Sequence, residues 1–117
     1  MVNHVTHFEI NGRDGKRLRD FYGALFGWKI DASNPMEYGI VSPDQAGIGG
    51  GISHQSPAAP MVTVYVEVAD LAAALKKAGS LGGRTTLEPT QVPGGPEIAM
   101  FADPEGNAIG LVKSESR

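Results

Sequence analysis

Three side chains in two extended stretches are of the types that move protons or hold metals. In "VTHFEI", His7 and Glu9 stand two residues apart; in "MVTVYVEV", Glu67 follows Thr63 and Tyr65 at the same interval. Strand side chains alternate between faces, so each set points one way. A histidine so placed serves as a general base, a metal ligand or a hydrogen-bonding group. Glu9 and Glu67 occupy similar places on their strands. Brought together, they would form a carboxylate pair in which one raised pKa supplies an acid or base. With His7 they offer an unusual metal set, and on the plainest reading each simply accepts hydrogen bonds. His7, Glu9 and Glu67 are the candidate catalytic residues.

Other chemistries find little support. The chain has no cysteine, which excludes disulfides, thiolate metal sites and a cysteine nucleophile. No nucleophile-elbow motif accompanies a serine. The glycine-rich "GIGGGIS" runs into "HQSPAAP", where no helix can start, so it is no phosphate-cradling loop. Net charge is −3, and the basic residues of "RDGKRLRD" form the solvated face of an amphipathic helix. Duplex binding needs a broader basic footprint, so no nucleic-acid partner is expected. No apolar run is long enough to span a bilayer, and "MVNHVTHFEI" has no signal-peptide pattern. The expectation is a cytoplasmic protein without a membrane partner. His4 and His54 read as solvated.

The elements that must position these residues follow from periodicity. At 117 residues, 41% hydrophobic, the chain has the length of one domain with a real core, and 16 glycines and 8 prolines imply many turns. In "DGKRLRDFYGALFGW", Leu18, Phe21, Tyr22, Leu25 and Phe26 make one apolar helical stripe, stopped by Gly27. In "DLAAALKKAGSLGG", Leu71, Ala74, Leu75 and Ala78 repeat the spacing, with Asp70 as N-cap and Gly82-Gly83 as terminator. A strand precedes each helix, and three shorter ones are expected after each. These are "WKIDA", "EYGIVS" and "GIGGGIS", then "RTTLEPTQ", "EIAMFA" and "AIGLVK". Val62, Val64, Val66 and Val68 form the strand face expected to meet the helices; Trp28 reads as core, with an apolar pocket wall as the alternative. The pattern is β-α-β-β-β twice: module one spans about residues 4–53, a proline-rich linker about 54–60, and module two about 61–113. Gly110, inside "AIGLVK", is unusual because a strand glycine marks a bulge or a close approach.

In this order, "HFEI", "RDFYGALFGWKI", "VYVEVADLAAALKKAGSLGG" and "MFADPEGNAIGLV" resemble the vicinal oxygen chelate superfamily. Its members include glyoxalase I, extradiol dioxygenases, fosfomycin-resistance proteins and bleomycin-binding proteins. The resemblance covers roughly residues 4 to 113. It implies an α+β fold of two βαβββ modules, whose mixed sheet curls into a cup, an incomplete barrel with helices outside. It also implies a small-molecule ligand, a homodimer, and a cup lined by the face bearing Thr63, Tyr65 and Glu67.

Metal-using members of that family place one ligand on the first and last strand of each module. Carried over, the positions are His7, Gly51, Thr63 (or Val64 after a one-residue slip) and Gly110. Only His7 has a donor suited to a divalent metal. The resemblance therefore implies a member without a metal or other cofactor, with His7 the single metal candidate. The expected function is metal-free binding of a small apolar or aromatic molecule, of the drug-sequestering or metabolite-binding type. His7, Glu9, Gly51, Thr63, Tyr65, Glu67, Met100 and Gly110 are the expected ligand-binding residues. Gly51 and Gly110 leave room for the ligand, while Tyr38 joins Tyr65 and Met100 as wall. The alternative is a lyase, isomerase or dioxygenase using Glu9, Glu67 or His7, or an atypical metal site.

Overall fold

Aspartates start both long helices. Asp14 accepts a hydrogen bond from Arg17 N at 3.0 Å, and Asp70 one from Ala73 N at 3.0 Å, each satisfying one of the orphan donors of a helix start. The computed structural model describes residues 2–54 and 60–115. The elements, in chain order, are β1 (Val5–Asn11), α1 (Gly15–Phe26), β2 (Gly39–Val41), α2 (Pro43–Ala46), β3 (Gly49–Ser53), β4 (Met61–Val68), α3 (Leu71–Ser80), β5 (Arg84–Gln91), β6 (Glu97–Ala102) and β7 (Ala108–Lys113). The fold is α+β with mixed strand pairing.

The chain divides into two compact units, Thr6–Thr63 and, with the N-terminal residues through Val5, Val64 onward. The division falls inside β4. Residues 55–59 of the expected linker lie outside the described residues.

In the first unit β3 is central: it pairs parallel with β1 and antiparallel with β2. Only two strands follow α1 here, where the sequence predicts three. "WKIDA" forms a single bridge, Asp31 to Ile40. The backbone of Lys29 is taken by a side chain instead: Gln45 Oε1 accepts from Lys29 N at 2.6 Å, and Gln45 Nε2 donates to Lys29 O at 3.0 Å. The apolar stripe of α1 is also less buried than its spacing implies. Phe21, Leu25 and Phe26 are more than half exposed, and Trp28 is half-buried against Phe8, Tyr22 and Phe26.

In the second unit β4 pairs parallel with β7, which pairs antiparallel with β6, and β6 with β5. The β6–β7 register is set by the turn at "DPEGN". Asp103 Oδ1 accepts from Glu105 N and Asn107 N, both at 2.9 Å, and Gly106 takes φ 91°, a conformation that suits glycine. Hydrogen bonds from Asn107 hold the Asp103 carboxyl below its ordinary pKa. The core joins Val68 to Leu71, Leu75, Ala99 and Leu111, with Val66 packed against it. Neither Val62 nor Val64 belongs to this core, and Val62 is 70% exposed. The expected valine face is thus corrected: only Val66 and Val68 of the four valines join this core, while Thr63 and Tyr65 on the other face are buried.

Candidate functional site

The parallel register of β1 and β3 sets His7 beside Gly49, Glu9 beside Gly51 and Asn11 beside Ser53. One face of this pair therefore carries an imidazole, a carboxylate and an amide, next to a strand with almost no side chains. Aromatic rings fill the gaps. Phe8 lies over Gly50 on the opposite face, and Tyr38 lies over Gly51 on this one; a β-carbon at either glycine would overlap the ring.

Tyr38 is held from both sides of its own backbone. Asn34 Oδ1 accepts from Tyr38 N at 2.9 Å, and Asn34 Nδ2 donates to Tyr38 O at 2.8 Å. The preceding residue, Glu37, has φ 51°, the only positive φ among the described non-glycine residues. Such a conformation costs roughly 1–2 kcal/mol outside glycine, which the surrounding bonds must offset. The Tyr38 hydroxyl then donates to Glu9 Oε2 at 2.9 Å and lies 2.8 Å from His7 Nε2. Asn11 Nδ2 donates to Glu9 Oε1 at 2.9 Å. Both oxygens of Glu9 are engaged. Burial holds the His7 imidazole below its ordinary pKa of 6.5, and the Glu9 charge opposes that shift without cancelling it.

The second unit repeats the geometry with different chemistry. Tyr65 stands beside Gly110 in the β4–β7 register, its ring seated where a Gly110 side chain would be. Met100 on β6 flanks Gly110 from the other side and is half-buried. Glu9 is to Gly51 as Tyr65 is to Gly110, so the counterpart of Glu67 is Asn11, two residues beyond Glu9. The two glutamates do not hold corresponding places, which corrects the equivalence drawn from "HFEI" and "YVEV". Gly51 and Gly110 need a second correction. The space over each is occupied by a tyrosine of the chain itself and is not left open for a ligand.

The family's metal positions do not fit a metal. His7 Nε2 is engaged by Tyr38, Gly51 and Gly110 carry no donor, and Thr63 is buried with 4% exposure. Among the described residues no group of three or more His, Cys, Asp or Glu side chains could hold an ion.

Two features were not legible from residue types. Asn11, just past "VTHFEI", has no reading from the sequence, yet it is 4% exposed and anchors Glu9; only the β1–β3 register reveals it. Its Oδ1 and Ser53 Oγ are buried with no hydrogen-bond partner among the described residues, the pattern of a place for bound water. Beyond Asn11, a mainly apolar groove of about 500 Å³ runs between Ile10, Leu18, Phe21, Tyr22 and Val62. The sequence assigns Leu18, Phe21 and Tyr22 to a helix stripe and Val62 to a face meeting the helices, since spacing alone cannot tell a packed face from a groove wall.

Known proteins are consistent with this architecture. A hypothetical protein from Bacillus halodurans C-125 superposes with TM-score 0.71 at 12% identity, covering 100% of this chain and 98% of that one. Methylmalonyl-CoA epimerase from Mycobacterium tuberculosis superposes with TM-score 0.67 at 15% identity, covering 96% and 88%. At such identities the likeness is one of fold. In sequence, the Mycobacterium bovis protein named "Putative glyoxylase CFP32" is 28% identical over 97 residues, 80% of this chain. This chain's match spans 37% of that relative's length. Among the described residues no helix is long and apolar enough to cross a membrane. The profile of the Glyoxalase/Bleomycin resistance protein/Dioxygenase superfamily matches residues 3–111, and the chain belongs to that superfamily.

Proposed function

We propose that this protein binds a small, largely apolar or aromatic molecule without a metal, using His7, Tyr38, Glu9 and Asn11 as its polar anchor. The observation that carries this reading is the continuous hydrogen-bond chain from His7 through Tyr38 to Glu9 and on to Asn11. Its members are oriented before any ligand arrives, which reduces the ordering cost of binding. A neutral imidazole beside a carboxylate favours a ligand group that donates a hydrogen bond over an anion. Thr63 is a further proposed contributor from the first unit, where Gly51 seats Tyr38; Tyr65, Glu67 and Met100 are proposed as ligand contacts of the second unit by itself, where Gly110 seats Tyr65. We further propose that the protein acts as a homodimer; the exposed Phe21, Leu25 and Phe26 on α1 support that reading.

A second reading is proton-transfer catalysis of the lyase or isomerase type. It is favoured by the lowered pKa of His7 and its connection through a phenol to a carboxylate. Epimerase and glyoxylase names among similar proteins make such substrates worth testing.

A thermal-shift screen of aromatic antibiotics, acyl-CoA thioesters and small aldehydes tests both readings. Ligand at a hundredfold over Kd should stabilise the protein by about 2.7 kcal/mol, and His7→Ala should abolish the shift. Absence of any binder, or binding indifferent to both His7→Ala and Glu9→Gln, overturns the site. If a binder is turned over, and Glu9→Gln stops turnover while leaving binding, the catalytic reading replaces simple sequestration.

A further inference from the structure

The Tyr38 hydroxyl has one proton and lies 2.8 Å from His7 Nε2 and 2.9 Å from Glu9 Oε2. Carboxylate oxygens only accept, so the phenolic proton belongs on the Glu9 side. The reverse arrangement would press two oxygen lone-pair sets together in a half-buried place. The second contact then closes only if His7 supplies the proton from Nε2. For a neutral imidazole this leaves the lone pair on Nδ1. That nitrogen lies toward Gly49, 3.8 Å from where a β-carbon there would stand.

We propose that Tyr38 is the positioning residue of this cluster: its hydroxyl, seated over Gly51, locks His7 as the Nε2–H tautomer and couples it to Glu9. This rests on the reading of the cluster as the binding site only for its functional meaning; the tautomer exists without ligand. It also gives Gly51 a specific role. Any side chain at position 51 takes the seat of the Tyr38 hydroxyl, so the glycine sets the protonation pattern of a histidine it does not touch. Asn34 keeps the tyrosine from evading this geometry by clamping its backbone on both sides.

Long-range proton–nitrogen NMR spectra of the full-length, nitrogen-labelled protein test the proposal, recorded above the ordinary histidine titration range and assigned with His7→Gln. Wild-type His7 should show a protonated Nε2 and an unprotonated Nδ1. Tyr38→Phe keeps the ring over Gly51 and should lose that pattern, with the two nitrogens shifting toward an averaged mixture of tautomers. Gly51→Ala retains His7, Tyr38 and Glu9, yet should show the same loss. A wild-type Nδ1–H tautomer overturns the proposal, as does a Tyr38→Phe spectrum unchanged at His7. If Gly51→Ala fails to fold, Tyr38→Phe, which removes one oxygen, still decides. Loss of ligand binding in Tyr38→Phe with an unchanged tautomer would refute positioning and leave the binding site standing. A responsive tautomer in a protein that binds nothing in the screen would do the opposite.

Discussion

At the residue scale the informative positions are glycines covered by aromatic rings. Gly51 and Gly110 stand out in the sequence because a strand has no use for a missing side chain, but residue type cannot say what fills the gap. Tyr38 and Tyr65 fill it, reached from sequence distances of 13 and 45 residues. Gly110→Ala should therefore destabilise the protein by about 1–3 kcal/mol through overpacking, read by urea denaturation. A neutral result would mean that the Tyr65 ring moves aside at no cost. His7 carries a pH signature as well. Its folded pKa lies below the ordinary 6.5 because the charged ring is desolvated. The unfolded chain thus binds the proton first as pH falls. The contribution of His7 to stability is complete above that value and is lost as pH drops from it through the folded pKa. Measured against His7→Gln, the wild type should lose more stability between neutral and mildly acidic pH. Parallel losses would show that His7 is not desolvated.

At the element scale the sequence was a good guide wherever local chemistry decides. Asp70 caps α3, Gly27 ends α1 with φ 75°, and β4 to β7 have the expected limits apart from the buried face of β4. "WKIDA" has strand-like composition, but the Gln45 side chain satisfies Lys29, so no neighbouring strand is needed there. The short α2 is invisible to periodicity because four residues make barely one turn. Gln45→Ala should cost about 1 kcal/mol by removing the bonds to Lys29, observable as a lower melting temperature. An unchanged melt would mean that water replaces the amide without loss. The stripe on α1 also shows why amphipathicity does not prove burial. Spacing fixes which residues share a face, whereas what covers that face depends on distant parts of the chain.

At the scale of the whole molecule, the exposed face of α1 bears on assembly. If Phe21, Leu25 and Phe26 meet a second copy, Leu25→Glu should convert dimer to monomer in sedimentation while changing monomer stability by no more than about 0.5 kcal/mol, the usual limit for surface sites. A wild type that already sediments as a monomer would end that reading. The sequence by itself determined the α+β class, the order of most elements, the Asp70 cap, the Gly27 stop and the superfamily, because these depend on contacts within a few residues or on motifs read in register. Only the tertiary structure decided what surrounds His7 and Glu9. Strand pairing brings Asn11 and Gly51 beside them, and a loop some thirty residues away in sequence delivers the Tyr38 hydroxyl between them. Hydrogen bonds of that kind form across distances that no local pattern encodes. An isolated histidine among positions lacking metal donors thus proves to be one end of a chain that ends at Asn11.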